Sequence, residues 1–516
     1  MTEGNAAGPA LALRAALLTA LAAAPCAAED VGERTGRMWH PCVEWSRRNP
    51  SWEGNPFDVV ATVTFRHADS GERRATEMFY VGDKTWRFRF AGTRLGRWAF
   101  RSTSRDPQLD GLTGTVIVKP NPNDDAAGFL THKGNRFARH VGSDGRLEAY
   151  RFTVYMNRVK FTGRLIGLPD EPERLRAYVE DARRHGFGAI FVHVVNSWFR
   201  YGARKYTDHK SVDPDPKTFA ALEEAIRTAR GLGCRVHFWA WGDQSRRWTP
   251  IGVGGINGPA DRRLQRYIAA RLGPMVGWSM GYGFDLHEWT KPAQLDAWAK
   301  YLHEHMGWDH LLCTRGHRLA GSRNNMNSYD GFGRSVGLAT SAHGPKDYHE
   351  IVRHLDSDAA RPHFYEERHS YLREGFRLDM RGTRRLVWWQ TLAGGMGGFF
   401  GFYPNSKHPY PNPEQLRCAS EFWHKRFLLE MVRANELTDG YALRTPDRRR
   451  FVFYREDAAA IAVDLTKAPA PLPAVAVDAA KAYKEIDLGK LTPGKHTLKL
   501  PRKSDWAVAV GTFDAR

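Results

Sequence analysis

Ala189-Ile-Phe-Val-His-Val-Val195 decides the fold. Six of its seven residues are apolar and none alternates with a charge, the pattern of a parallel strand covered on both faces. On its N-terminal side, Pro172 to His185 repeats apolar residues at helical spacing, with an acidic start and a basic end that suit the helix dipole. On its C-terminal side the pattern predicts a helix over 216–232 and a strand over 235–241. Outward from this core, Phe152-Thr-Val-Tyr-Met156 supplies a first strand. Helix 260–272, strand 275–282, helix 291–306 and strand 310–315 follow, then a long polar loop. Strand 336–342, helix 345–357, strand 361–366, helix 381–394, strand 398–403 and helix 413–430 complete the series. Eight strands alternating with helices predict a (β/α)8 TIM barrel. An open doubly wound sheet competes, but no Gly-rich phosphate loop follows the first strand. Gly394-Gly-Met-Gly-Gly398 comes late, lacks dinucleotide spacing, and reads as a tight turn into strand eight.

Both flanks read as β-structure. Asp58-Val-Val-Ala-Thr-Val-Thr-Phe65 and Thr85-Trp-Arg-Phe-Arg-Phe90 alternate between Gly, Pro and Asp clusters, the signature of a small sandwich over about 30–120. The tail carries Arg450-Phe-Val-Phe-Tyr454, His496-Thr-Leu-Lys-Leu500 and Trp506-Ala-Val-Ala-Val510 and predicts a second small sandwich. The expected layout is a signal peptide (1–28), an N-terminal β-sandwich (30–120), a central barrel (121–432) and a C-terminal β-sandwich (433–516).

The 516 residues carry a formal charge of +19 and 17 Trp. Such a basic balance fits a solvated arginine-rich surface or an anionic substrate drawn to a positive cleft. The cations are spread along the chain without a recognition motif, which argues against nucleic acid. Arg14, the apolar run Ala15 to Ala24 and the small residues up to Ala28 predict a cleaved signal and a secreted or periplasmic protein. No segment is long and apolar enough for stable membrane insertion. Cys42, Cys234, Cys313 and Cys418 lack paired spacing, so neither a zinc site nor a disulfide framework is predicted. The histidines show no His-x-x-x-His pairing, and no metal or cofactor is expected.

In such a barrel the chemistry sits at the C-terminal ends of the strands. Strand two ends at Asn196 with Trp198 close behind, and strand three delivers Trp239, Trp241 and Asp243. Strand four delivers Tyr282, then Asp285 and Glu288 within Gly283-Phe-Asp-Leu-His-Glu-Trp289. Strand five delivers Arg315 and strand six His343. Strand seven, in Arg361-Pro-His-Phe-Tyr-Glu-Glu-Arg-His-Ser-Tyr371, delivers Glu366, Glu367 and Arg368. Two carboxyl groups across a sugar linkage are what glycosidic cleavage needs: one protonates the leaving oxygen, the other attacks the anomeric carbon or activates water. If the strand alternates throughout, Glu367 points away from Glu366 and orients a neighbour. His193, His237 and His343 are candidates for assisting at the subsite or for hydrogen-bonded core positions. The three tryptophans serve either sugar stacking or barrel packing.

Asn55-Pro56-Phe57, Phe79-Tyr-Val-Gly-Asp83, Trp86-Arg-Phe-Arg-Phe90 and Gly96-Arg-Trp98 resemble the fibronectin-like module that precedes glycoside hydrolase barrels. Pro362-x-x-x-Glu366-Glu367-Arg368 and Trp389-x-x-x-x-Gly394-Gly395 resemble the apiosidase-like barrels that carry it. The resemblance implies a retaining glycosidase, with the nucleophile after strand seven (Glu366) and the acid after strand four. Strand four departs from the usual acid motif, so Asp285 and Glu288 both stand as candidates. The substrate-binding set is then Glu367, Arg368, Tyr282, Trp239, Trp241, Asp243, Asn196, Arg315 and His343, with Tyr365 beside them. The expected activity is a secreted glycoside hydrolase acting on a poly- or oligosaccharide. A polysaccharide lyase acting on a uronate polymer and a non-catalytic carbohydrate-binding barrel are the competing readings.

Overall fold

The computed structural model describes residues 29–123, 126–157, 172–203, 211–242, 249–283, 286–313, 339–341, 347–371, 379–402, 410 and 412–513. Its centre is an eight-stranded, all-parallel sheet. The strands are β1 (Thr153–Asn157), β2 (Ala189–His193), β3 (Arg235–Trp239), β4 (Trp278–Gly281), β5 (Leu312–Cys313), β6 (Ala339–Ser341), β7 (His363–Tyr371) and β8 (Gly397–Phe402). Between them run helices α1 (Pro172–Arg184), α2 (Pro216–Gly231), α3 (Pro259–Leu272), α4 (Pro292–His305), α5 (Tyr348–Asp356) and α6 (Met380–Leu392), and α7 (Pro413–Trp423) follows β8. The spatial order β5-β4-β3-β2-β1-β8-β7-β6 brings the first strand against the eighth, as in a TIM-like barrel. Five of these helices open on proline, whose fixed φ and missing N–H suit the first helical position. Asp215, Asp347 and Asp379 cap three starts by accepting from Lys217 N, Glu350 N and Gly382 N at 2.9, 2.9 and 2.7 Å.

Alternation along each strand builds two cores. Val154, Met156, Ala189, Phe191, Trp239, Phe364 and Phe399 fill the barrel interior. Tyr155, Ile190, Val192, Val236, Phe238, Met280 and Phe400 pack outward against the helices. Three short antiparallel strands, Ala127–Lys133, Arg136–Val141 and Arg146–Ala149, lie against the N-terminal end of the barrel. The sequence reading assigned this stretch to the barrel without seeing its strands. Leu130 and Phe137 join the interior core, with the Phe137 ring 5.2 Å from that of Phe152. Gly397 permits this contact, since a Cβ there would stand 2.8 Å from the Phe137 ring and 2.9 Å from Phe152 O.

The N-terminal flank is a sandwich. A five-stranded sheet (Asp30–Arg37, Thr113–Lys119, Gly96–Ser104, Ala61–His67, Arg73–Glu77) faces a three-stranded one (Val43–Arg48, Thr85–Phe90, Phe79–Gly82). Trp45, Phe65, Phe88, Phe90, Trp98 and Phe100 fill the space between them. Trp308 of the barrel enters the same core and donates to Ala91 O at 3.0 Å. Beneath it Arg89 holds Glu223 through both oxygens at 3.0 and 3.1 Å, and Arg271 reaches the same carboxylate at 2.5 Å. The two guanidinium groups outweigh burial and hold the Glu223 carboxyl down at about 2.

The C-terminal flank differs in form from the two-sheet sandwich expected. It is one six-stranded sheet whose long strands, Phe451–Asp464 and Lys495–Val510, carry bulges around Arg455 to Ala460. Bulges bend strands. Ile461, Val463 and Leu500 from the outer halves therefore share a core with Phe451, Phe453 and Val508 from the inner halves. The opposite face, with Val452, Tyr454 and Ala507, packs on the barrel helices.

Candidate active site

The C-terminal end of the barrel has an aromatic floor. Phe191, Trp239 and Phe399 project inward from β2, β3 and β8 and meet in pairs at 4.6 to 5.4 Å, each edge to face. Cα pairing sets the height of the strand-seven segment relative to that floor. Tyr365 pairs with Gly398 and His369 with Phe400, so Glu366, Glu367 and Arg368 together oppose the single residue Phe399. β7 is therefore bulged by two residues at the three positions singled out in the sequence. Bulges re-aim side chains and recur beside active sites. The alternation used to separate Glu366 from Glu367 does not pass through this break.

The ends of β3 and β4 are tied together from behind by Asp261 of α3. One oxygen accepts from Trp241 Nε1 at 2.9 Å and from Gln265 Nε2 at 3.0 Å. The other accepts from the Tyr282 hydroxyl at 2.6 Å and from Asn257 N at 2.8 Å. Burial, reinforced by the Asp261 carboxylate, holds the Tyr282 hydroxyl protonated well above the ordinary phenol range. Gly283 brings the two strand ends into contact: a Cβ there would lie 2.9 Å from the Trp289 ring and 3.1 Å from Gly242 O. The turn Leu286–Glu288 follows, pinned by buried Leu286 and by Trp289, whose ring packs 5.6 Å from that of Tyr282. Between these anchors Glu288 is exposed.

Two residues expected in the substrate site lie elsewhere. Trp241 and Tyr282 are fully buried in the strand–helix layer and spend their polar atoms on Asp261, so they support the site from behind. Trp198 belongs to the same layer and donates to Ala240 O at 2.5 Å. Trp239 does face the barrel axis. His237 is a core histidine, its Nδ1 2.8 Å from Ser279 Oγ and its ring among Phe152, Phe364 and Phe399. Burial pushes its pKa down to about 3, so it is neutral. Glu366, Glu367, Arg368 and Tyr365 are placed by backbone within β7, and Asn196 within the turn Val195–Ser197; their side chains lie outside the described residues. Asp243, Asp285, Arg315 and His343 fall outside the described residues altogether. Asp261 escaped the sequence reading because an acid in the first turn of a helix reads as a dipole partner. Among the described residues no cluster of His, Cys, Asp and Glu is placed to hold a metal ion.

Comparison with known proteins bears on the fold. Residues 35–105 match a family model described as a domain of unknown function, DUF5060. No curated protein matches the sequence. Among solved structures, one described as "a putative glycoside hydrolase from Bacteroides vulgatus" superposes with a TM-score of 0.66 at 14% identity, covering 93% of this chain and 99% of that one. A second, described as a glycoside hydrolase, gives 0.54 at 16% identity, covering 75% of this chain and 98% of that one. A family 5 glycoside hydrolase from Bacteroides vulgatus gives 0.56 at 14% identity, covering 74% and 93%. What this chain shares with them is the fold: a TIM-like barrel accompanied by β-structure.

Proposed function

We propose that the protein is a retaining glycoside hydrolase with Glu366 as nucleophile and Glu288 or Asp285 as the acid/base. The observation that carries this reading is the β7 bulge, which sets two glutamates and an arginine level with an aromatic floor inside a parallel barrel. In the reaction, the Glu366 carboxylate attacks the anomeric carbon while the strand-four acid gives its proton to the departing glycosidic oxygen. Water then gives a proton to the strand-four carboxylate, bonds to the anomeric carbon and breaks its bond to Glu366, which releases the sugar. Of the two acids, Glu288 is favoured by its exposed place on a turn anchored at both ends. The solved glycoside hydrolase structures with the same barrel, one overlapping 93% of this chain and another 75%, support the class of reaction. We infer that the protein is exported after loss of residues 1–28 and meets a carbohydrate outside the cytoplasm.

The deciding experiment is Glu366→Gln assayed on a panel of neutral and acidic glycans. Loss of turnover with retained binding and unchanged circular dichroism supports the assignment, and azide should rescue the variant as a glycosyl azide. Wild-type rates in the variant would remove Glu366 from the mechanism. Unsaturated products absorbing in the ultraviolet would instead identify a lyase.

A further inference from the structure

At the end of the barrel opposite the β7 bulge, two cavities of about 1080 Å³ and 560 Å³ meet along Arg139, Tyr150 and Gly233. Arg139 and Arg235 lie over the Tyr150 ring, with guanidinium carbons 5.9 and 5.4 Å from its centroid. Arg183 crosses Gly233, where an added Cβ would stand 3.8 Å from its guanidinium carbon. Arg151 engages Thr391 Oγ1 at 2.9 Å through Nε and lines the larger cavity. Among the described residues Arg151, Arg183 and Arg230 have no carboxylate partner.

Four other enclosed arginines, Arg89, Arg271, Arg384 and Arg385, each sit on a carboxylate at 2.5 to 3.0 Å, while Arg136 donates to Met431 O. A guanidinium taken from water without a counter-charge is costly, so buried Arg235 and half-buried Arg151 and Arg230 call for an anion from outside, with exposed Arg183 at the rim. Of the three acids around the larger cavity, Asp144 and Glu148 are engaged by Arg146 and Arg139 and Glu430 acts on Arg136, and the described lining of the smaller one contains no acid. Burial pushes Arg151 and Arg235 down to about 10 and Arg230 to about 9, all still charged at neutral pH. Low-dielectric walls focus such a field. The space far exceeds an inorganic ion, for which a water's share of roughly 30 Å³ is the scale. Exposed Leu147 adds an apolar wall suited to the C–H face of a sugar.

We propose that this cavity is a second carbohydrate site, taking an oligosaccharide that carries carboxylate or sulfate groups and seating those groups on Arg151 and Arg183. The inference rests on the carbohydrate-active reading of the barrel. A chain held there is anchored at the opposite end of the barrel from the β7 carboxylates, so it does not compete with the cleavage site.

The test is calorimetric titration of the full chain carrying Glu366→Gln, which prevents turnover. The probes are tetragalacturonate, a heparin tetrasaccharide, neutral cellotetraose and inorganic sulfate at low ionic strength. At least one acidic oligosaccharide should bind, and which one does tells carboxylate from sulfate. Arg183→Glu, on an exposed helix position, should weaken that binding by at least about tenfold, and Arg151→Gln should weaken it with unchanged circular dichroism. Failure of both acidic probes, wild-type affinity in both arginine variants, or equal binding of cellotetraose or sulfate would overturn the proposal. Turnover by the parent protein without binding here would sink this inference alone. Binding here by a protein that cleaves no glycan would sink the hydrolase reading alone.

Discussion

Replacing Asp261 by alanine should loosen both sides of the strand-three and strand-four corner at once. The carboxylate accepts four hydrogen bonds, and two of the donors, Trp241 Nε1 and the Tyr282 hydroxyl, are wholly enclosed. Each buried donor stripped of its acceptor costs about 1–3 kcal/mol, so those two alone make Asp261→Ala about 2–6 kcal/mol less stable. Asp261→Asn keeps the shape and one acceptor oxygen and should fall between the alanine variant and the parent. Tyr282→Phe removes one bond to a charged group, worth about 1.5–3 kcal/mol. The losses should not add: Tyr282→Phe placed on Asp261→Ala should cost little more, since the bond is already gone. Urea unfolding followed by tryptophan fluorescence measures the four variants against the parent. Activity provides the second readout. Because the turn bearing Glu288 hangs from Tyr282 through Trp289, an error of about 1 Å in its position should lower kcat on the order of 10²-fold, with KM little changed. An alanine variant that unfolds at the parent's midpoint with the parent's kcat would show that Asp261 does not hold the corner.

The same geometry makes the fold acid-labile. Glu223 is held at about 2 by Arg89 and Arg271, below its unfolded value, so its contribution is complete above about pH 5 and is lost as pH falls toward 2. His237 and His363 are pushed by burial down to about 3, so the unfolded chain takes up protons first and stability falls from about pH 6.5 downward. Denaturant midpoints should therefore drop steadily from pH 7 to pH 4, and His237→Phe should flatten the upper part of that slope; a flat parent profile contradicts the assignment. Glu223→Gln leaves two enclosed guanidinium groups without their carboxylate and should cost about 3–5 kcal/mol by urea titration, whereas a neutral effect would mean water reaches the pair. Gly397→Ala drives a methyl into the Phe137 and Phe364 rings and should cost about 1–3 kcal/mol; an unchanged melt would show that the three antiparallel strands under the N-terminal end of the barrel yield freely.

How much of this was legible in the sequence follows from where periodicity holds. The barrel helices start on proline or aspartate, and the strand interiors are apolar on both faces, so α1 to α6, β1 to β6 and β8 lie within a few residues of their predicted positions, whereas β7 runs on to Tyr371 and α7 stops at Trp423. The three antiparallel strands within 127–149 were missed because they are short, and the outer face of that meander is polar. Tyr282 was legible in principle, since parity places it with Trp278 and Met280 on the helix side of β4. Trp241 was not. Two residues after inward Trp239, parity puts it inward too, but the β3 ladder ends at Trp239 and the chain then turns outward to Asp261. The Glu366–Glu367 pair fails for the same reason in another form: two extra residues enter β7 between Tyr365 and His369, and alternation counted from Phe364 stops meaning anything there. Alternation is a property of an unbroken hydrogen-bond ladder, whereas a barrel presents reactive groups where its ladders end or bulge. Sequence pattern therefore reads the scaffold better than the site. Chemical type, two acids and an arginine in a row, is the signal on which the proposed site rests.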